Sequence, residues 1–273
     1  MQLRRAQILV AVFLLAFFTS GCAAGIKLSK MNQQKQQEIA LAVKAPEKIF
    51  RIGEKLTYGA SWNGLYVGRL TMTIAEKVSV NGKDTYRVVA NADSASVLDA
   101  IFKVRDTYTS FIDAQDFHSL KFERKINERF YTAHETTEYD QEKHSAVITN
   151  LRNNENKTIE VPANVQDMVS CLFYFRTLEL KPGDDVKMDV NIRSKIYTLA
   201  GKVLGFDNIT IPKLGSFDAF KVEPKASFKG ILIDRGKGYI WVSTDERRLP
   251  LVAKMKIMPF GSIVCILEKI EQN

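Results

Sequence analysis

The chain has 273 residues, 45% of them hydrophobic and 10% aromatic, enough for a sizeable core. Its formal net charge is +8, yet acids and bases alternate, as in Lys121-Phe122-Glu123-Arg124-Lys125, so the charge describes a solvated face. Three cysteines are too few for a disulfide framework.

Arg4 and Arg5 open the chain with positive charge, and Ile8 to Phe18 is an almost unbroken apolar run. That run is shorter than the about 20 residues a membrane-spanning helix needs, and it leads into small residues, the pattern of a targeting signal. Thr19-Ser20-Gly21-Cys22 resembles the bacterial lipobox. The resemblance implies cleavage before Cys22, lipid on its thiol, and a net charge of +6 once Arg4 and Arg5 are lost. With Ala23 after the cysteine, it also implies an outer-membrane anchor facing the periplasm. The expected organisation is a lipoprotein signal peptide at 1–21, a lipidated cysteine and flexible tether at 22–46, and a β-rich envelope domain at 47–273. The tether is Gln-rich and partly helical between Gln33 and Val43. An exported chain meets no nucleic acid; its first partner is the membrane, through the lipid.

From Phe50 the pattern turns to strands. Leu56, Tyr58, Ala60 and Trp62 alternate with polar or small residues up to Asn63-Gly64, a tight-hairpin dipeptide. Val67, Leu70, Met72 and Ile74 carry the next strand to Asn81-Gly82, and Tyr86 to Ala92 returns, which makes a three-strand meander. Ser96-Val97-Leu98-Asp99 reads as a capping box opening a short helix to about Phe102. Alternation resumes over Asp106 to Ile112, Leu120 to Asn127, Thr132 to Tyr139, Ala146 to Asn150 and Thr158 to Val161.

One longer helix interrupts the strands. Asn164 to Asp167 reads as its capping box, Val165 to Leu178 as its body, and Lys181-Pro182-Gly183 as its stop. Its apolar residues leave only a narrow polar stripe of Asp167, Ser170 and Tyr174, so sheet should enclose it. Further strands are expected at Val186 to Ile192, Tyr197 to Val203, Ile209 to Ile211, Ala219 to Pro224, Gly238 to Ser243, Leu251 to Lys256 and Ser262 to Lys269. The expected fold is mainly β, with antiparallel sheets forming an incomplete barrel or wrapped sheet around one buried helix. Cys171 and Cys265 both lie in apolar patterns and read as buried; spacing leaves their pairing open.

Three groups of residues, in this order, resemble the bacterial family known as domain of unknown function 3108. They are Gly53-Glu54-Lys55-Leu56-Thr57-Tyr58 with Ser61-Trp62 and Gly68, then Asp167-Met168-Val169-Ser170 with Phe173-Tyr174-Phe175-Arg176, then Gly238-Tyr239-Ile240-Trp241 with Asp245-Glu246-Arg247-Arg248-Leu249-Pro250. The resemblance implies an exported, β-rich domain and no established activity.

Residue chemistry points away from catalysis. There is no Gly-x-Ser-x-Gly, no phosphate loop and no dinucleotide glycine pattern, so neither an enzyme nor a cofactor is expected. His118, His134 and His144 lack metal-ligand spacing and read as surface residues, with no metal. Asp184-Asp185 after Gly183 reads as turn chemistry. Arg176 lies nine positions after Asp167, opposite the Asp167, Ser170 and Tyr174 stripe at about 100° per residue. In an apolar surround its guanidinium needs a carboxylate, several carbonyls or an anionic ligand. An internal partner is the first expectation and a lipid phosphate or carboxylate the second, which makes Arg176, Tyr174, Ser170 and Asp167 the candidate ligand-binding residues. The function expected is non-catalytic binding of an apolar or amphiphilic molecule, a lipid or glycan, by a membrane-tethered envelope protein. The alternative is a structural factor that assembles other envelope proteins, with a hydrolase behind both.

Overall fold

A computed structural model describes residues 26–42, 49–232, 238–257 and 261–272. The signal segment and Cys22 lie outside the described residues. The first half contains β1 (Lys27–Lys30), α1 (Gln33–Ala42), β2 (Glu54–Trp62), β3 (Leu65–Val80), β4 (Lys83–Ser94), α2 (Asp99–Phe102), β5 (Arg105–Asp113), β6 (Ser119–Glu128), β7 (Tyr131–Asp140), β8 (Ser145–Asn150) and β9 (Glu155–Glu160). After α3 (Ser170–Thr177) come β10 (Asp185–Ile192), β11 (Lys195–Ile211), β12 (Gly215–Phe228), β13 (Ile231–Leu232), β14 (Gly238–Ser243), β15 (Pro250–Ile257) and β16 (Gly261–Gln272).

The sixteen strands of the described residues join one sheet, in the order β1-β11-β12-β14-β15-β16-β2-β3-β4-β5-β6-β7-β8-β9, with β10 also on β11 and β13 on β12. The strand pairings are antiparallel, and among the described residues β9 does not pair with the far side to close the ring, so the fold is an incomplete barrel. The expected meander is there. Its turns need two successive residues at positive φ, which Asn63 (49°) with Gly64 (83°) and Asn81 (50°) with Gly82 (78°) supply.

The gap in the ring is sutured by the chain that leads into α3. Gln166 N–H donates to Asp189 O at 2.9 Å, Asn191 N–H to Gln166 O at 2.7 Å, and Ser119 N–H to Val165 O at 3.3 Å. Residues 165–166 therefore tie β10 to the start of β6. Tyr139 on β7 adds a hydroxyl donated to Asn191 Oδ1 at 3.0 Å. This explains why the helix is shorter than its sequence pattern. Asn164 sits at φ 56°, and Gln166 has given both backbone groups to β10, so no helix can start at Val165. It starts at Ser170 and ends at Thr177.

Three other expectations are corrected. Ser96 caps nothing: Ser96–Leu98 is a 3₁₀ turn without a side-chain cap, and the Asp99 carboxylate instead takes Ser94 Oγ at 2.7 Å and Arg105 Nη2 at 2.6 Å. The two strands expected at 197–203 and 209–211 are one, because a bulge between Val203 and Gly205, with Gly205 at φ 141°, absorbs the break in alternation. Within the segment expected as a tether, Lys27–Lys30 pairs with Asp207–Thr210 of β11, and α1 follows. Met31 is the apolar residue that seats it, in a small core with Leu180, Val203, Phe206, Phe220 and Val222, against which Ile39 packs. The main core runs along the rest of the sheet and takes in Val169, Cys171 and Phe173 around α3.

Candidate functional site

Asp167 organises the entry to α3. Its Oδ1 accepts from Val169 N–H at 2.6 Å and Ser170 N–H at 2.8 Å, so it caps the first turn. Its Oδ2 accepts from Ser110 on β5 at 2.5 Å and from Ser119 on β6 at 2.6 Å. Ser170 Oγ in turn accepts the Asp167 N–H at 2.8 Å. Both side chains are fully enclosed, and burial raises the Asp167 pKa above the ordinary carboxylate value despite these donors.

At the other end, Arg176 donates from Nη2 to Glu54 Oε1 at 2.9 Å and from Nε to Arg247 O at 3.1 Å. Its guanidinium carbon lies 5.2 Å from the Phe173 ring centroid. Arg176 and Glu54 are both buried, and nearby burial holds the Tyr58 phenol well above its ordinary value. The protein itself thus supplies a carboxylate and a carbonyl to Nη2 and Nε, while the buried Nη1 has no hydrogen-bond partner among the described residues.

The four residues singled out from sequence do not share one site. Asp167 and Ser170 form a buried polar knot with β5 and β6, Arg176 forms a separate knot with β2, and Tyr174 lies half-buried between them along the helix. The polar stripe assigned to Asp167 and Ser170 is therefore interior, satisfied by strand hydroxyls and by the helix's own amides.

Beside the helix, the described residues leave a crevice of about 80 Å³ between α3 and five strands, β10, β11, β12, β14 and β15. Leu172, Phe175, Met188, Leu199, Val222 and Ile240 are among its walls, and an exposed Lys225 is its sole charged lining residue. Phe175, Val186 and Val222 also belong to the small core under α1, so the crevice lies where the two cores meet. Sequence reasoning missed it, although the signal was present as period-two pairs: Val186 with Met188, Leu199 with Gly201, Val222 with Pro224, Ile240 with Val242.

Cys171 lines this crevice, and both Cys171 and Cys265 are buried free thiols. Burial pushes Cys265 up to about 12 and Cys171 well above its ordinary value, so neither forms the reactive thiolate. Maleimide added to the folded protein is expected to label neither residue, and to label both only after denaturant. Rapid labelling of the native state would contradict this packing.

Of the three histidines, His134 meets Glu123 Oε1 at 2.6 Å and is half-buried, while His118 is buried rather than on the surface. A left-handed Phe117 (φ 58°) turns His118 inward, where Nδ1 meets Asn164 Oδ1 at 3.3 Å and Nε2 lies 3.9 Å from Asp113 Oδ2. With Asp116 these are the three residues, among those described, whose ligand atoms gather within 4.8 Å as a metal would require. Asp113 Oδ1 is already occupied by the amides of Gln115 and Asp116, which is turn chemistry.

The family model described as "Protein of unknown function (DUF3108)" matches residues 57–268. Among solved structures, the chain is similar to a β-barrel-like protein of the domain of unknown function DUF1849 from Brucella abortus. The identity is 11%, the TM-score 0.51, and the match covers 81% of this chain and 98% of that one. It is also aligned with a candidate exported protein of YmcC-like fold from Bacteroides fragilis, at 12% identity and a TM-score of 0.31, covering 81% of this chain and 97% of that one. The first likeness supports the barrel-like fold. No curated protein matches the chain.

Proposed function

We propose, on the premise that this chain belongs to the DUF3108 family, that it is an exported lipoprotein, anchored through Cys22, whose β-domain binds an amphiphile without catalysing a reaction. The observation that carries the reading is the apolar crevice beside α3, with one exposed cation, Lys225, on its lining. An acyl chain suits walls that offer no hydrogen bonds, and Lys225 suits a carboxylate or phosphate head. Elsewhere along the helix Asp167, Ser170 and two of the three Arg176 nitrogens are engaged in holding it in place, which supports binding over chemistry. The apparatus for export is the leader and the small residues before Cys22.

The rival reading, an assembly factor working through a free strand edge, has β9 as its surface. Glu155, Lys157 and Glu160 charge that edge, a pattern that discourages strand addition.

The test is displacement of a dansyl-labelled undecanoic acid from the purified full chain. Leu199→Trp and Leu172→Trp each add bulk from opposite walls at half-buried positions, so neither overfills the core. Both are expected to weaken probe binding about tenfold while leaving Tm within a few degrees. Equal binding by wild type and both variants would overturn the crevice as the site.

A further inference from the structure

Among the described residues, strand pairing assigns each turn between paired strands to one of two rims. Register places Trp62 and Leu65 beside the start of β16, Ser94 beside the start of β3, Glu128 beside Tyr131, Asn150 beside Glu155, and Phe228 beside the start of β11. The turns at 63–64, 95–104, 129–130, 151–154, 193–194 and 229–230 therefore share one rim.

On that rim stand Leu65, Val97, Ile101, Phe130 and Ile231, which are between 73% and 86% exposed. They are all of the large apolar side chains, among the described residues, that exceed half exposure; Trp62, Tyr66 and Leu151 stand beside them. The same turns carry Lys103, Arg129, Arg152, Arg193 and Lys229 as exposed cations, against a single anion, Asp99, which Arg105 already pairs. The turns of the opposite rim, at 81–82, 114–118, 141–144, 212–214 and 244–249, carry four acids and four bases. Chance exposure does not sort apolar tips and positive charge onto the same edge.

We infer that this rim docks on an anionic bilayer surface. The apolar side chains stand singly on separate turns instead of forming one flat patch, and a fluid headgroup layer accommodates separate points where a rigid protein face does not. The cations between them complement lipid phosphates and match the requirement that apolar insertion and charge act together. The rim lies far from the anchor. Lys27 pairs with Thr210, so β1 begins at the opposite rim, about 50 Å of strand away from Lys195. Residues 22–26 span less than about 20 Å fully extended. A lipid on Cys22 thus holds one rim, and the apolar rim meets an apposed membrane. This inference does not depend on the crevice, and either can fail alone.

The two tryptophans make the test direct, because Trp62 stands on the rim at 47% exposure and Trp241 is buried at 2%. Full chain is mixed with vesicles of phosphatidylcholine and brominated phosphatidylglycerol, and quenching of Trp62 emission is followed at low and high salt. The expected result is quenching at low salt that weakens as salt screens the cations. In L65S/V97S/I101S/F130S/I231S, whose changes are all at exposed tips, vesicle affinity read by quenching should fall about 100-fold while Trp241 emission holds. Protein that floats with vesicles while Trp62 stays unquenched is held by its anchor alone and overturns the inference. So does quenching that survives in the quintuple variant. A concentration-dependent dimer lost in that variant, with no response to vesicles, gives the rim to a second copy and also overturns it.

Discussion

Arg176→Met is expected to destabilise the fold by about 3 to 5 kcal/mol, lowering Tm by roughly 10 °C, because it strands Glu54. Both side chains are buried, the pair is closed at 2.9 Å, and the guanidinium also meets a phenylalanine ring and a carbonyl. A lone carboxylate there has neither solvent nor a counter-charge to turn to. Glu54→Leu combined with Arg176→Met should recover most of the loss, since removing both charges leaves neither unpaired. The pair joins α3 to β2, elements that lie 122 residues apart in the chain, so it fixes where the helix sits. The measurement is denaturant unfolding of the two single variants and the double. If Arg176→Met keeps wild-type stability and loses the dansyl-acyl probe, the guanidinium serves a ligand and the structural assignment is wrong.

Asp167→Ala should cost at least about 3 kcal/mol, because it leaves two serine hydroxyls and two helix amides without their acceptor inside the protein. Asp167→Asn keeps the shape and costs less, and its pH dependence is informative. Burial raises the pKa of Asp167 in the fold above the ordinary 3.8, so the protonated form is favoured there. The stability this group adds is full below its unfolded pKa and shrinks as pH rises through the folded value. The advantage of wild type over Asn is therefore expected to be largest in acid and to decline toward neutrality. An advantage that grew with pH would mean that the four donors outweigh burial.

The fold is legible in its hairpins and its alternation, though the capping box read at Ser96 fails because the Asp99 carboxylate takes Ser94 and Arg105 instead. Asn63-Gly64 and Asn81-Gly82 specify their turns by themselves, and alternation over β2 to β8 specifies which residues face the core. What escaped was set at a distance. The helix pattern at Val165 to Val169 is genuine, but β10 takes the Gln166 backbone and overrides it. The N-terminal strand has four exposed residues and no alternation, and only its pairing with β11 defines it. Arg176 was read correctly as needing an acceptor; that Glu54 supplies it depends on a barrel register no short window contains. The crevice was hidden for the same reason, since its walls come from a helix and five strands.

Native mass spectrometry of the protein extracted from its own membranes tests amphiphile binding most directly. Wild type is expected to carry a bound acid or phospholipid mass, beyond any acyl groups on Cys22, and Leu199→Trp to carry none. Wild type and variant that both fly at the bare acylated mass, from detergent that preserves other lipid complexes, would contradict a ligand in the crevice.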